Sequence, residues 1–148
     1  MTAATPATGE VRELRLTDGL TRTQIVQYAG ASGDYNPLHT DEVFAREIIG
    51  LPSVFAHGML TMGMTSRILT DWFGAEHIVS YRARFAAQVW PGDTLTAHAT
   101  VAAIETLSDG SEQLTVTLKT TNQRNEVALS GSAVVRRTAA EGAQGGQR

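Results

Sequence analysis

The feature that most constrains this chain is a change of hydrophobic period at Gly74. From His57 to Phe73 the apolar residues Leu60, Met64, Ile68 and Trp72 recur at helical spacing, and Gly74 follows as a stop. The other faces carry Gly58, Thr61, Gly63, Thr65 and Ser66 instead of many charges, which predicts a helix wrapped by other structure on most sides. Beyond Gly74 the period becomes two. Ile78 to Val89 reads as one strand, ended by Pro91-Gly92-Asp93, after which Leu95, Ala97, Ala99 and Val101 alternate with Thr94, Thr96, His98 and Thr100. Leu114, Val116 and Leu118 alternate with Thr115 and Thr117, and a last strand, Val127 to Val135, follows a turn around Asn122 to Asn125. One long helix followed by a run of antiparallel strands is an α+β plan, with the helix packed on one face of the sheet.

Ahead of the long helix the pattern is shorter. Val11, Leu14 and Leu16 suggest a first strand. Thr21 or Thr23 can cap a helix carrying Ile25, Val26 and Tyr28 that ends near Gly30 or Gly33, and a second short helix is expected from Thr40 to Arg46. The 148 residues hold one ordinary domain, expected over residues 11–137, with a flexible N-terminus at 1–10 and a flexible Gly/Gln/Ala tail at 138–148. A net charge of −3 with no clustered basic surface argues against nucleic acid as a partner. The absence of cysteine removes disulfides, thiolate zinc sites and cysteine nucleophiles together. Residues Met1 to Glu10 have neither the basic start nor the apolar run of a signal peptide, and no apolar stretch is long enough for a bilayer. The expectation is a cytoplasmic protein with no membrane contact.

The chemistry-bearing stretch runs from Tyr28 to His39 and reads Y-A-G-A-S-G-D-Y-N-P-L-H. Gly33 precedes Asp34, and Asn36-Pro37 turns the chain before His39. A Gly- and Pro-shaped turn between two helices can aim this carboxylate and imidazole at one place, where together they would hold a water and move its protons. The plainer reading is equally open from the residues alone: Asp34 caps the next turn, and His39 is a hydrogen-bonded structural histidine.

The string S-G-D-Y-N-P-L-H, Ser32 to His39, resembles the hydratase motif G-D-x-N-P-[LIV]-H of MaoC-like proteins without internal departure. Phe55-Ala56-His57-Gly58-Met59-Leu60-Thr61 resembles the start of that family's central helix, and Trp90-Pro91-Gly92-Asp93-Thr94-Leu95 a turn of its sheet. The likeness is greatest to the catalytic dehydratase subunits of actinobacterial type II fatty-acid synthesis. It implies a hot-dog fold, in which an antiparallel sheet wraps a long central helix. It also implies an (R)-specific enoyl-thioester hydratase or dehydratase acting on acyl-CoA or acyl-ACP, a hydro-lyase of fatty-acid metabolism that needs no cofactor and no metal. By the same resemblance Asp34 and His39 bind the water added across the double bond, Asn36 holds the loop, and the backbone N–H of Gly58 receives the oxyanion charge of the thioester. A helix start is suited to that last role, because its first N–H groups have no partner within the helix. Such proteins pair into homodimers, or into heterodimers with a related hot-dog subunit.

Two rival functions fit the same fold: a hot-dog thioesterase, and a non-catalytic partner subunit of a heterodimeric dehydratase. The intact Asp34 to His39 spacing speaks against both. His57, with Asp34, His39 and Asp41, offers ligand types that iron or zinc accept, but no pair of histidines stands at helical spacing. Met59, Met62 and Met64 read as flexible core or tunnel lining. Arg82, Arg84, Arg136 and Arg137 are either a solvated strand face or contacts for CoA phosphates or an acidic carrier protein.

Overall fold

The computed structural model describes residues 6–138. Among the described residues, five strands and three α-helices are arranged as expected from the change of period. Strand β1 is Val11–Thr17, helix α1 Arg22–Ser32, the one-turn helix α2 Pro37–Thr40, and the long helix α3 Gly58–Phe73. Strands β2 Ile78–Phe85, β3 Leu95–Thr106, β4 Glu112–Thr121 and β5 Val127–Arg137 follow. All strand pairs are antiparallel, in the order β1-β3-β4-β5-β2. The sheet is therefore bordered by β1 and β2, and β2 reaches its place by pairing with β5, not with its neighbour in sequence. At Gly131 the β2 and β5 backbones come so close that a Cβ would lie 2.3 Å from the Arg82 carbonyl oxygen, so only glycine fits.

Residues pointing to one side of the sheet, among them Ala97, Ala99, Val101, Leu114, Val116, Ala133 and Val135, are buried against Ile68, Leu69 and Trp72 of α3. Small alanines on β3 let the helix settle close to the strands. The helix face turned inward differs from the one expected. Thr61, Thr65, Ile68, Leu69 and Trp72 are the buried set, while Leu60 and Met64 are half-buried. The buried Thr65 and its neighbour Thr120 on β4 are tolerated because their hydroxyls are paired: Thr65 donates to the Thr61 carbonyl at 2.8 Å, and its oxygen lies 2.7 Å from that of Thr120. Tyr81 of β2 donates its hydroxyl to the Met62 carbonyl at 3.1 Å, and burial pushes that phenol up to about 12. One face of α3 is left open to solvent, at Met59, Gly63, Arg67 and Asp71.

Other boundaries moved for local reasons. Strand β2 stops at Phe85, where the Ala86 and Ala87 N–H groups both turn to the Ala128 carbonyl of β5, and residues 86–89 go on to line a cleft at the start of α3. In place of one short helix from Thr40 to Arg46 there are two pieces. Asp41 ends α2, and its carboxylate accepts from the Phe44 N–H at 3.0 Å, starting a wider π-helical turn, Phe44–Ile48. The flexible ends expected at 1–10 and 138–148 fall largely outside the described residues. Gly9 and Glu10, which are described, hydrogen-bond to Val101 of β3.

Candidate active site

The segment that carries Asp34 is shaped by its own short side chains. Thr21 and Gln24 form a capping box at the start of α1, and Gly33 ends the helix with φ 74°, a left-handed conformation that glycine takes without steric penalty. Asp34 thus stands just past a helix end. Asn36 caps α2 by accepting from the Leu38 N–H at 3.1 Å, and Pro37 occupies the first helical position. One turn later His39 points inward.

His39 is 8 % exposed, and its Nδ1 lies 2.7 Å from the Phe55 carbonyl oxygen. A carbonyl only accepts, so Nδ1 carries the proton and Nε2 of the neutral ring presents a lone pair. The Asp34 carboxylate is exposed and accepts from the Asn36 N–H at 3.3 Å. The side chains of Asp34, His39 and His57 bring one oxygen or nitrogen each to within 4.8 Å of one another. The turn therefore brings the carboxylate and the imidazole near one another, while Asp34 also accepts from the turn and His39 is also held by a backbone carbonyl, as the plainer reading has it.

His57, set aside in the sequence as a stray ligand type, is the third member of this cluster. It is 2 % exposed, its ring stacks on His39 at 3.8 Å and 30°, and its Nε2 lies 3.0 Å from the Asp34 carbonyl oxygen. One nitrogen of each ring is already engaged, His39 Nδ1 with the Phe55 carbonyl and His57 Nε2 with that of Asp34, which leaves each ring a single nitrogen for any other ligand. Asp41 is outside the cluster, engaged with the π-helical turn. The sequence signal for His57 was available: it directly precedes the glycine expected to donate to the substrate.

Gly58 is the first residue of α3, and no side chain caps that end. Its N–H has no acceptor within the helix. A cleft of about 320 Å³ opens there, lined by Phe55, Ala56, Gly58 and residues 85–89. The Phe85 ring lies flat against Gly58, so that a Cβ would meet three ring atoms at 3.0 Å. The cleft wall is braced by the Pro91-Gly92-Asp93 turn. Asp93, 3 % exposed, accepts from the Trp90 N–H at 2.9 Å and from Gln123 at 2.8 Å, while the Ala56 N–H donates to Val89 at 2.8 Å. A larger groove, about 980 Å³, lies on the opposite face of the sheet with Arg82, Arg84 and Lys119 along it, away from the Asp34 cluster. The four arginines singled out earlier divide: Arg136 pairs with Asp109 and Arg137 with Glu112, whereas Arg82 and Arg84 line that groove.

Residues 3–124 match the MaoC-like domain family. The chain belongs to that family. Among MaoC-like relatives, the (R)-specific enoyl-CoA hydratase of Rhodospirillum rubrum is 33% identical over 129 residues, 85% of either chain. The (R)-hydratase from A. caviae involved in PHA biosynthesis superposes with a TM-score of 0.76 at 26% identity, covering 88% of this chain and 96% of that one. A chain of the ChsH1–ChsH2 complex from Mycobacterium tuberculosis does so at 0.72 and 26%, covering 88% and 98%. Several other curated relatives are far longer, and this chain spans 23% and 34% of two of them. The α+β architecture of sheet and central helix is that of the hot-dog fold these MaoC-like structures share. No helix among the described residues is long and apolar enough to cross a membrane.

Proposed function

We propose that this MaoC-like domain is a hydro-lyase that adds water reversibly to a trans-2-enoyl thioester, giving the (3R)-hydroxyacyl thioester. The observation that carries this reading is the meeting of an acid–base pair with an unused helix start. The carboxylate of Asp34 and the imidazole of His39 converge within 4.8 Å, and the uncapped N-terminus of α3 at Gly58 adjoins them through Phe55 and His57. A water held by Asp34 would give one proton to the Nε2 lone pair of His39 as its oxygen bonds to C3. The imidazolium then returns a proton to C2, so that the elements of one water are added. Between these events negative charge sits on the thioester oxygen, where the Gly58 N–H can accept it as a hydrogen-bond donor. Asn36 contributes by holding the turn between the two acid–base residues, through its bond to the Leu38 N–H.

The named activities of the similar R. rubrum and A. caviae proteins support the substrate class and the (R) configuration. The acyl group would arrive on CoA or on an acyl carrier protein, substrates found inside cells, which goes with a cytoplasmic enzyme. A second hot-dog subunit, identical or related, is part of the reading, supported by the resemblance to a chain of the ChsH1–ChsH2 complex. The test is loss of enoyl absorbance with crotonyl-CoA, with longer chains and an ACP-bound enoyl group run alongside. Hydration is expected. Thioester hydrolysis without hydration would favour the thioesterase, and inertness toward all of them the non-catalytic subunit.

A further inference from the structure

The loop carrying Asp34 has very little holding it. Residues 32–36 are exposed, and nearly all their hydrogen bonds are local. Ser32 donates to the Tyr28 carbonyl, the Gly33 N–H to Ala29, the Asp34 N–H to Ser32, the Asn36 N–H to Asp34, and the Leu38 N–H to Asn36. None reaches further than four residues along the chain. The exception is the bond from His57 Nε2 to the Asp34 carbonyl, which spans 23 residues. Because a carbonyl can only accept, that nitrogen must carry the proton. The same ring stacks on His39, contacts Tyr28 at 4.9 Å on α1, and belongs to the residue covalently before Gly58.

We propose that His57 is a positioning residue for this reaction: it ties the Asp34 backbone and the His39 ring to the start of α3, setting carboxylate, imidazole and Gly58 N–H in one geometry. The inference rests on the hydratase reading. Fold stability does not by itself call for an imidazole here. With Nε2 protonated, Nδ1 of the neutral ring is an acceptor, and that atom is buried without a partner. A buried polar atom left unpaired is a cost to the fold, which an apolar ring of similar size would avoid. What the imidazole adds over such a ring is one directed bond to a loop that makes no other tertiary hydrogen bond among the described residues.

Two substitutions separate the tie from the packing. His57→Phe keeps an aromatic ring against His39 but removes the donor, and His57→Gln removes the ring but keeps an N–H able to reach the Asp34 carbonyl. With crotonyl-CoA, His57→Phe is expected to lower kcat about 10- to 100-fold with KM changed less than about two-fold, since small displacements of reacting groups act on the chemical step. His57→Gln should recover a clear part of that loss even if it melts at a lower temperature. Wild-type kcat in folded His57→Phe would overturn the proposal, as would equal losses in both variants that follow their loss of thermal stability. A second measurement needs no variant: ¹⁵N NMR of the imidazoles in the wild-type protein should show His57 protonated at Nε2, and protonation at Nδ1 alone would overturn the tie. If the wild type hydrates no enoyl thioester, the hydratase reading itself fails, while the NMR result still decides whether His57 holds the Asp34 loop.

Discussion

A carboxylate and an imidazole five residues apart meet only if the backbone between them doubles back, and here single residues make it do so. Gly33 leaves α1 in a left-handed conformation, Asn36 caps the next turn, and Pro37 starts it. If Asp34 and His39 act on one water, Asp34→Asn or His39→Gln should each lower hydration of crotonyl-CoA by about 10²- to 10⁴-fold in folded protein. The double variant should be scarcely worse than the worse single one, because either loss already disables the pair. Near-normal turnover in a folded single variant would reduce the motif to a turn. Gly58→Ala has a different cause of failure. Its methyl would press on the Phe85 ring at 3.0 Å, at the mouth of the cleft. Phe85 is 47 % exposed and can give way, so kcat should fall with little change in melting temperature, and adding Phe85→Ala should restore part of the loss. Alanine keeps the backbone N–H, so a Gly58→Ala protein of unchanged kcat would show instead that the Phe85 ring gives way without narrowing the cleft mouth.

At the scale of elements, α3 carries an internal polar seam where an all-apolar stripe was expected. Thr65 donates to Thr61 and accepts from Thr120, so the two hydroxyls depend on each other unequally. Thr65→Val strands the Thr120 hydroxyl in a fully buried place and should destabilise by about 1–3 kcal/mol. Thr120→Val leaves Thr65 its bond to Thr61 and should cost less, and the double variant should be no worse than Thr65→Val. Urea unfolding of the four proteins measures this; equal costs for the two single variants would show that the hydroxyls share their bonds differently. The seam was not legible in the sequence because threonine is apolar enough to face a core and polar enough to face water. Which it does depends on whether another element brings it a partner.

For the whole molecule the open question is its edges. The sheet ends in β1 and β2, and β2 presents Val79, 62 % exposed, near one end and Phe85 at the other. Unpaired backbone N–H and C=O groups on such a strand favour pairing with another chain. Light scattering at micromolar concentration should therefore find a species of twice the chain mass, or a complex with a related hot-dog subunit once that subunit is supplied. A fully active monomer would contradict it.

The sequence by itself was enough for the architecture. A helical period over His57–Phe73 giving way to a period of two after Gly74 leaves few ways to bury both patterns, and the helix laid on one antiparallel sheet is the one observed. Asp34 and His39 were legible for a similar reason: the glycine, asparagine and proline that bend the chain lie between or beside them, so local geometry brings them near. Strand order, the inward face of α3, the end of β2 at Phe85 and the place of His57 were decided by tertiary structure alone. Each depends on contacts between residues far apart in the chain, as in the 23 residues separating Asp34 from the imidazole that holds it, and a period along one segment carries no record of what that segment will meet.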